Sequence, residues 1–380
     1  MAREGAIPFA RFMDLALYCP VYGYYESEED KIGRKGDFYT SVSVGPLFGE
    51  MLAFQFCEWL DQMADATRNE TDTVPLPRVC EAGAHDGRLA HDILNWIHLQ
   101  RPDLSPGFTY YIIEPSKVRR AWQAVTLAPF IDHVRWLEAG QFPAPFRGVF
   151  FSNELLDAMP QHRLGWDGRR RRWFEWGVTG KPERLEWTRL SLPDHGEARA
   201  GFLDLIPEVP DELAAVLPGD FTIEVSPSAA AWWSLAAASI AEGKLLTIDY
   251  GYEAGGHLQP ERPAGTLRAY RNHQVSTDLL AVPGQQDLTA HIDFSRIRRA
   301  GEEQGMKTEA LISQELFLTR IARQTWSPPG QAVFGDWTSI RTRQFQTLTH
   351  PNYLGRTFRV LVQSRGRATS AGVFQLQNSG

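Results

Sequence analysis

The chain has 380 residues, 43% hydrophobic and 22% charged, enough to bury a full core as one large domain or one domain with a sizeable insertion. Its net charge of −7 weighs against a dedicated nucleic-acid binder. Three widely spaced cysteines, Cys19, Cys57 and Cys80, give neither a disulfide framework nor a zinc pattern; with no apolar leader and no run of about 18 apolar residues, the expectation is a cytoplasmic protein in a reducing compartment, without a membrane span.

Residues 1–30 are rich in aromatics: Phe9, Phe12, Tyr18, Tyr22, Tyr24 and Tyr25. A helix over 13–17, broken by Pro20 and Gly23, reads as a packed N-terminal arm. Residues 31–50, KIGRKGDFYTSVSVGPLFGE, form a structured loop whose end, 40–43, can cap a helix from Pro46 or Leu47 onward. That helix carries Leu47, Phe48, Met51, Leu52, Phe56, Trp59, Leu60 and Met63 on a broad apolar face. The polar stretch 64–77 links it to the first strand, so 1–77 is expected to pack as an arm, loop and helix on the core.

Residues 79–89, VCEAGAHDGRL, run from an apolar strand ending on Glu81, through Gly83 and Gly87, into a helix with Leu89, Ala90, Ile93, Leu94 and Ile97 on one face. A strand, a glycine loop and a helix make the cradle in which open α/β sheets bind nucleotide-like cofactors. A fixed carboxylate at the strand end would repel a pyrophosphate. It suits a cofactor with ribose hydroxyls and a cationic centre, such as S-adenosylmethionine. The second strand, TYYIIEP, also ends on an acid, Glu114, placed either to accept ribose hydroxyls or to cap the next helix.

VRWLE at 134–138 is a third strand and GVFFSNELLDAMP at 148–160 a fourth, switching from apolar to Asn153, Glu154 and Asp157. Ligands of doubly wound sheets sit beyond the strands' carboxyl ends, where this switch falls. Asp157 also reads as a helix cap, whereas Glu154 is read as functional. Residues 161–235 read as an inserted cap, opening with a β-hairpin whose four arginines, 169–172, suit a solvated tip. GKLLTIDYG restores the parallel pattern as a fifth strand ending on Asp249, Tyr250 and Gly251. His291 and Asp293 lack a third metal ligand at sensible spacing, so Asp293 is read as a helix cap and no metal is expected. Residues 357–364 make a last strand, antiparallel at the sheet end. The core is thus expected over 78–160 and 236–365, with a loose tail at 366–380.

Several of these stretches together resemble the MidA/NDUFAF7 family of S-adenosylmethionine-dependent methyltransferases, whose mitochondrial members are associated with complex I assembly and dimethylation of an arginine in one of its subunits. The matches are GDFYTS (36–41) with LFGE (47–50), EAGAHDGRL where the family reads roughly ELGPGRGTL, SNELLDAMP beside the family's NEFFDALP, IDYGY, EVSP (224–227) and DLTAHIDFS (287–295). They run in register over about residues 8–360. The resemblance implies the class I methyltransferase fold: an α/β, Rossmann-like, doubly wound and mostly parallel seven-stranded sheet with a cap. It places the cofactor site on Gly36, Asp37, Phe38, Glu81, Gly83, Gly87, Glu114, Asn153 and Glu154. His85 stands where the family has its middle glycine. Histidine tolerates left-handed φ only modestly and brings a ring into the cofactor's space. Arg88 replaces a small residue, and Val42-Ser43 replaces the family's Pro-Glu.

Methyl transfer from a sulfonium is an in-line displacement in which the protein mainly supplies alignment. An arginine acceptor keeps its proton until attack, so carboxylates that hold the guanidinium bidentately are the natural devices. Glu154 and Asp157 are the candidates, with Asp249 and Tyr250 as second choices. The leading expectation is a protein-arginine methyltransferase acting on a protein partner, with a homodimer left open. The alternatives are a methyltransferase-fold assembly factor with weakened cofactor binding, and a small-molecule methyltransferase closed by the 161–235 cap. A nicotinamide enzyme is disfavoured by the absence of a full G-x-G-x-x-G.

Overall fold

The computed structural model describes residues 5–27, 40–67, 78–104, 106–181, 184–192, 205–253, 255–256, 258–271, 274–325 and 334–366. The chain divides into two compact units. One takes Met1–Phe38, Leu156–Trp232 and Tyr250–Ile297; the other takes Tyr39–Leu155, Trp233–Asp249 and Arg298–Gly380. The loop-rich stretch 250–297 goes with 156–232, where the sequence had placed it with the core; the helix after residue 46 goes with the large sheet, on which it was expected to pack.

The second unit is built on that sheet. Its strands are β1 (Arg78–Ala82), β2 (Thr109–Ile113), β3 (Val134–Leu137), β4 (Phe146–Asn153), β5 (Ile240–Tyr252), β6 (Lys307–Ser313) and β7 (Phe358–Arg365), in the order β6-β7-β5-β4-β1-β2-β3. The β5–β4, β4–β1, β1–β2 and β2–β3 pairs are parallel, and β6–β7 is antiparallel. The mostly parallel α/β sheet expected from sequence is therefore present. The short strand Ile292–Asp293 joins the end of β5 within the first unit, which makes eight strands among the described residues where seven were expected.

The last strand is not the sheet's end as expected. β7 lies between β5 and β6, and β6 takes the edge. The reason is burial: Val360, Leu361 and Val362 are all fully buried, so successive residues on both faces need cover. β6, KTEALIS, is mostly half-exposed, as an edge strand can be.

Three helices matter for the site: α1 (Leu47–Thr67), α2 (Arg88–Gln100) and α3 (Lys117–Thr126). α1 buries the face read from its periodicity, with Leu47, Phe48, Met51, Leu52 and Phe56 at 0% exposure. Its Phe56 ring meets Phe151 of β4 at 5.0 Å. Thr40 caps the short helix Ser41–Val44 through a capping box with Ser43, not the longer helix that follows. α2 buries Leu89, Ala90, Ile93, Leu94 and Ile97, the predicted face, and Trp96 with it.

The first unit contains a five-stranded antiparallel sheet of Ile7–Pro8, Arg172–Lys181, His162–Asp167, Thr222–Val225 and Arg184–Leu190. The predicted hairpin is its centre, with Asp167 accepting the N–H groups of Arg169 and Arg170 at the turn. The helix Phe9–Tyr18 packs through Phe9, Phe12, Met13 and Leu17 against Leu279, Leu280 and Leu288. No helix among the described residues is long and apolar enough to cross a membrane.

Candidate cofactor and catalytic site

β1 delivers the chain into a loop where every second residue is left-handed: Gly83 at φ 76, His85 at φ 47 and Gly87 at φ 84. Left-handed backbone favours glycine at the two outer positions. A Cβ on Gly83 would stand 2.9 Å from Leu155 Cδ1, and one on Gly87 3.3 Å from Gln123 Cα. The Gly83 N–H donates to Ile113 O and the Gly87 N–H to Ala84 O, which closes the turn into α2. His85 adopts the left-handed backbone in spite of its side chain. Its ring lies edge-on to Trp122 of α3, with centroids 6.1 Å apart, and Nδ1 is 3.5 Å from Asp86 Oδ1. Asp86 also accepts the Arg88 N–H at the start of α2. Burial opposes its ionisation, but hydrogen bonds and charge from His85 and Arg88 hold its carboxyl below the usual range.

Glu81 is buried in β1, and its Oε2 accepts the Tyr110 hydroxyl at 2.7 Å. Burial pushes its pKa up to about 8. Around pH 7 it is therefore largely neutral, which removes the premise of a fixed charge repelling a pyrophosphate there.

Glu114 follows β2, is buried, and accepts the Ser116 N–H at 3.0 Å and Gln123 Nε2 at 3.1 Å. The side chain that caps α3 is Ser116, whose hydroxyl accepts the Arg119 N–H. Asn153 ends β4. Its Nδ2 donates to Glu154 Oε1, while its Oδ1 is buried with no hydrogen-bond donor among the described residues. Glu154 is held at φ 52 by its N–H donating to Ile248 O of β5, which pairs in register with Asn153. Asp249, fully buried at the adjacent strand end, accepts the Leu155 N–H at 3.2 Å.

The carboxyl ends of β1, β2, β4 and β5 thus carry Glu81, Gly83, His85, Gly87, Glu114, Asn153, Glu154 and Asp249 on one unit. Gly36, Asp37 and Phe38 lie outside the described residues. Asp157 belongs to the first unit, where its carbonyl accepts the Ala290 N–H. There Tyr25 donates to Asp287 Oδ1 at 2.8 Å, and burial together with the charges of Asp287 and Asp157 raises the Tyr25 pKa well above its usual value. Tyr250 stacks on His291, ring planes 12° apart, in the same unit. Asp293 accepts the Ser295 N–H and Arg296 Nε. Among the described residues no group of three or more His, Cys, Asp or Glu could hold a metal.

Sequence reading missed Gln123, Trp136 and the Tyr25–Asp287 pair. A polar Gln on the buried side of α3 was the only local signal for the first.

The site suits an adenosyl cofactor. Left-handed residues bring backbone close to a ligand beyond β1, a carboxylate follows β2, and the Asn153 oxygen is a buried acceptor in want of a donor. A family model described as "Putative S-adenosyl-L-methionine-dependent methyltransferase" matches residues 51–312, well over half of the chain. The mouse "Protein arginine methyltransferase NDUFAF7, mitochondrial" is 26% identical over 78% of this chain and 67% of its own length. The Drosophila melanogaster homolog is 26% identical over 95% of this chain and 82% of its own. A crystal structure of a "likely methyl transferase from Burkholderia thailandensis bound to S-adenosyl-homocysteine" superimposes with a TM-score of 0.80 at 28% identity, covering 99% of this chain and 92% of that one. The chain belongs to this family of S-adenosyl-L-methionine-dependent methyltransferases.

Proposed function

We propose that the protein methylates a guanidinium nitrogen of an arginine in a partner protein. The names of the mouse and fly relatives support the arginine acceptor. The observation that carries the reading is the Glu154 backbone, forced into the left-handed region at a strand end beside the buried carboxylate of Asp249. Strain at a non-glycine residue persists where the surroundings over-determine it, and such positions cluster at functional sites.

Bound S-adenosylmethionine supplies an already activated methyl group. The backbone of 83–87 would receive the cofactor. Glu114 accepts ribose hydroxyls and Asn153 Oδ1 accepts an N–H. Glu81, largely neutral and bonded to Tyr110, supports the loop from beneath. Glu154 accepts guanidinium N–H groups, turns the reacting nitrogen toward the donor and takes up the proton released on transfer. Asp249 fixes the 154–155 backbone through the Leu155 N–H. A cytoplasmic location is part of the proposal, supported by the three cysteines being free thiols.

His85 favours a second reading, a fold-retaining assembly factor with weakened cofactor binding, because a ring occupies the family's glycine position. Calorimetric titration with S-adenosylmethionine separates the two. Micromolar binding by the native chain, at most modestly tightened by His85→Gly, is the expected result. Binding by the variant alone would put the assembly factor first.

A further inference from the structure

Gln123 links the loop after β1, the carboxylate after β2 and an indole of β3. It lies on α3, fully buried. Its Nε2 donates to His85 O at 2.9 Å and to Glu114 Oε2 at 3.1 Å; its Oε1 accepts Trp136 Nε1 at 2.8 Å. The indole N–H can only donate, so the amide oxygen must face it, and both amide hydrogens then face the two acceptors. The orientation is fixed with every polar group used. The backbone agrees: Gln123 Cα is the atom that a Cβ on Gly87 would meet at 3.3 Å, so the loop rests on α3 at this residue.

We propose that Gln123 is the positioning residue of the cofactor site, locking the glycine loop and the Glu114 carboxylate into one fixed relation before the cofactor arrives. The proposal rests on the cofactor reading of the loop and of Glu114 given above. Its physical content is preorganisation. His85 sits in left-handed backbone that its side chain disfavours, and a hydrogen bond to its carbonyl fixes the peptide that follows. The same amide draws one oxygen of Glu114 inward while the Ser116 N–H holds the other. A loop and a carboxylate held this way need no reordering on binding, and affinity rises by the ordering avoided. Trp136, through the amide oxygen, decides which way the amide points.

The test is calorimetric binding of S-adenosylhomocysteine to the native chain, Gln123→Met, Glu114→Gln and the double variant. Methionine keeps the length of the side chain and removes both donors. Gln123→Met should weaken binding about tenfold, and by much less in the Glu114→Gln background, because part of its action runs through Glu114. Gln123→Glu should weaken binding more at pH 8, where acceptor faces acceptor, and recover as the pH falls. In the ligand-free chain, amide exchange over 83–87 should speed up in Gln123→Met. If Gln123→Met does not fold, Trp136→Phe, which removes only the indole N–H, should give a smaller loss in the same direction. Undiminished binding by the soluble Gln123 variants, or full additivity with Glu114→Gln, overturns the proposal. A native chain that does not bind overturns the cofactor reading beneath it.

Discussion

Glu154 and His85 are both non-glycine residues in left-handed backbone, and both stand where the strands deliver the chain to the site. For Glu154 the constraint is the hydrogen bond to Ile248 O, which anchors the peptide so that the side chain is presented from a fixed base. If that side chain holds the guanidinium and receives its proton, Glu154→Gln keeps the size and removes the charge. Turnover should fall by at least about a hundredfold, with cofactor affinity within about threefold of native. A single-turnover methylation assay beside calorimetry reads both, and unchanged turnover removes Glu154 from the mechanism. At this scale the sequence was informative where chemistry and position coincide. A carboxylate at a strand end is visible in Glu81, Glu114, Glu154 and Asp249 without coordinates. What it could not reveal was the state of Glu81, since its raised pKa comes from burial among neighbouring strands, which the Tyr110 hydrogen bond only partly offsets. Nor could it reveal Gln123, whose partners are 9, 13 and 38 residues away.

Among the elements, α1 shows why periodic patterns are legible and pairing order is not. Its apolar face repeats within the helix itself, so the sequence alone identifies what is buried. Trp59 is the largest side chain on that face, 1% exposed, stacked on Phe56 at 6.0 Å, with Lys244 Nζ 5.7 Å from the ring centroid. Lys244 is itself buried and bonds both oxygens of Glu309. Truncation at Trp59 opens a cavity under a buried ion pair, and Trp59→Ala should destabilise by about 3–5 kcal/mol. Urea unfolding followed by circular dichroism measures it; a loss below about 1 kcal/mol would mean that the helix repacks freely. The placement of β7 between β5 and β6 is a different kind of fact. Its continuous apolar run announces burial on both faces, but which strands flank it is decided by pairings across the chain, which no local period encodes. The division into units was hidden for the same reason: Asp157 is only three residues beyond Glu154, yet the chain passes between them from one compact unit into the other.

For the whole molecule, a buried acid and a half-buried histidine give the pH dependence of stability opposite slopes, one from each unit. Glu81, in the second unit, is raised from 4.5 to about 8 by burial. Over that window the folded chain keeps a proton that the unfolded chain has released, so stability falls as pH rises. His291, in the first unit, is lowered from 6.5 to about 4, first by burial and then by Arg262 and Arg268. Between those values the unfolded chain binds the extra proton, so stability rises with pH and is lost as pH drops toward 4. From pH 4.5 to 6.5 the two oppose each other; from 6.5 to 8 only Glu81 remains, contributing on the order of 1.4 kcal/mol per pH unit where its proton is fully retained. Native stability should therefore decline across pH 6.5–8, and Glu81→Gln, which still offers Tyr110 an acceptor, should flatten that decline. His291→Asn should leave it intact and instead soften the loss below pH 6. Urea midpoints at pH 5, 6.5 and 8 for the three proteins measure both slopes. A decline above pH 6.5 that survives Glu81→Gln would show that another buried acid, such as Glu224, whose pKa burial also raises, governs the alkaline side.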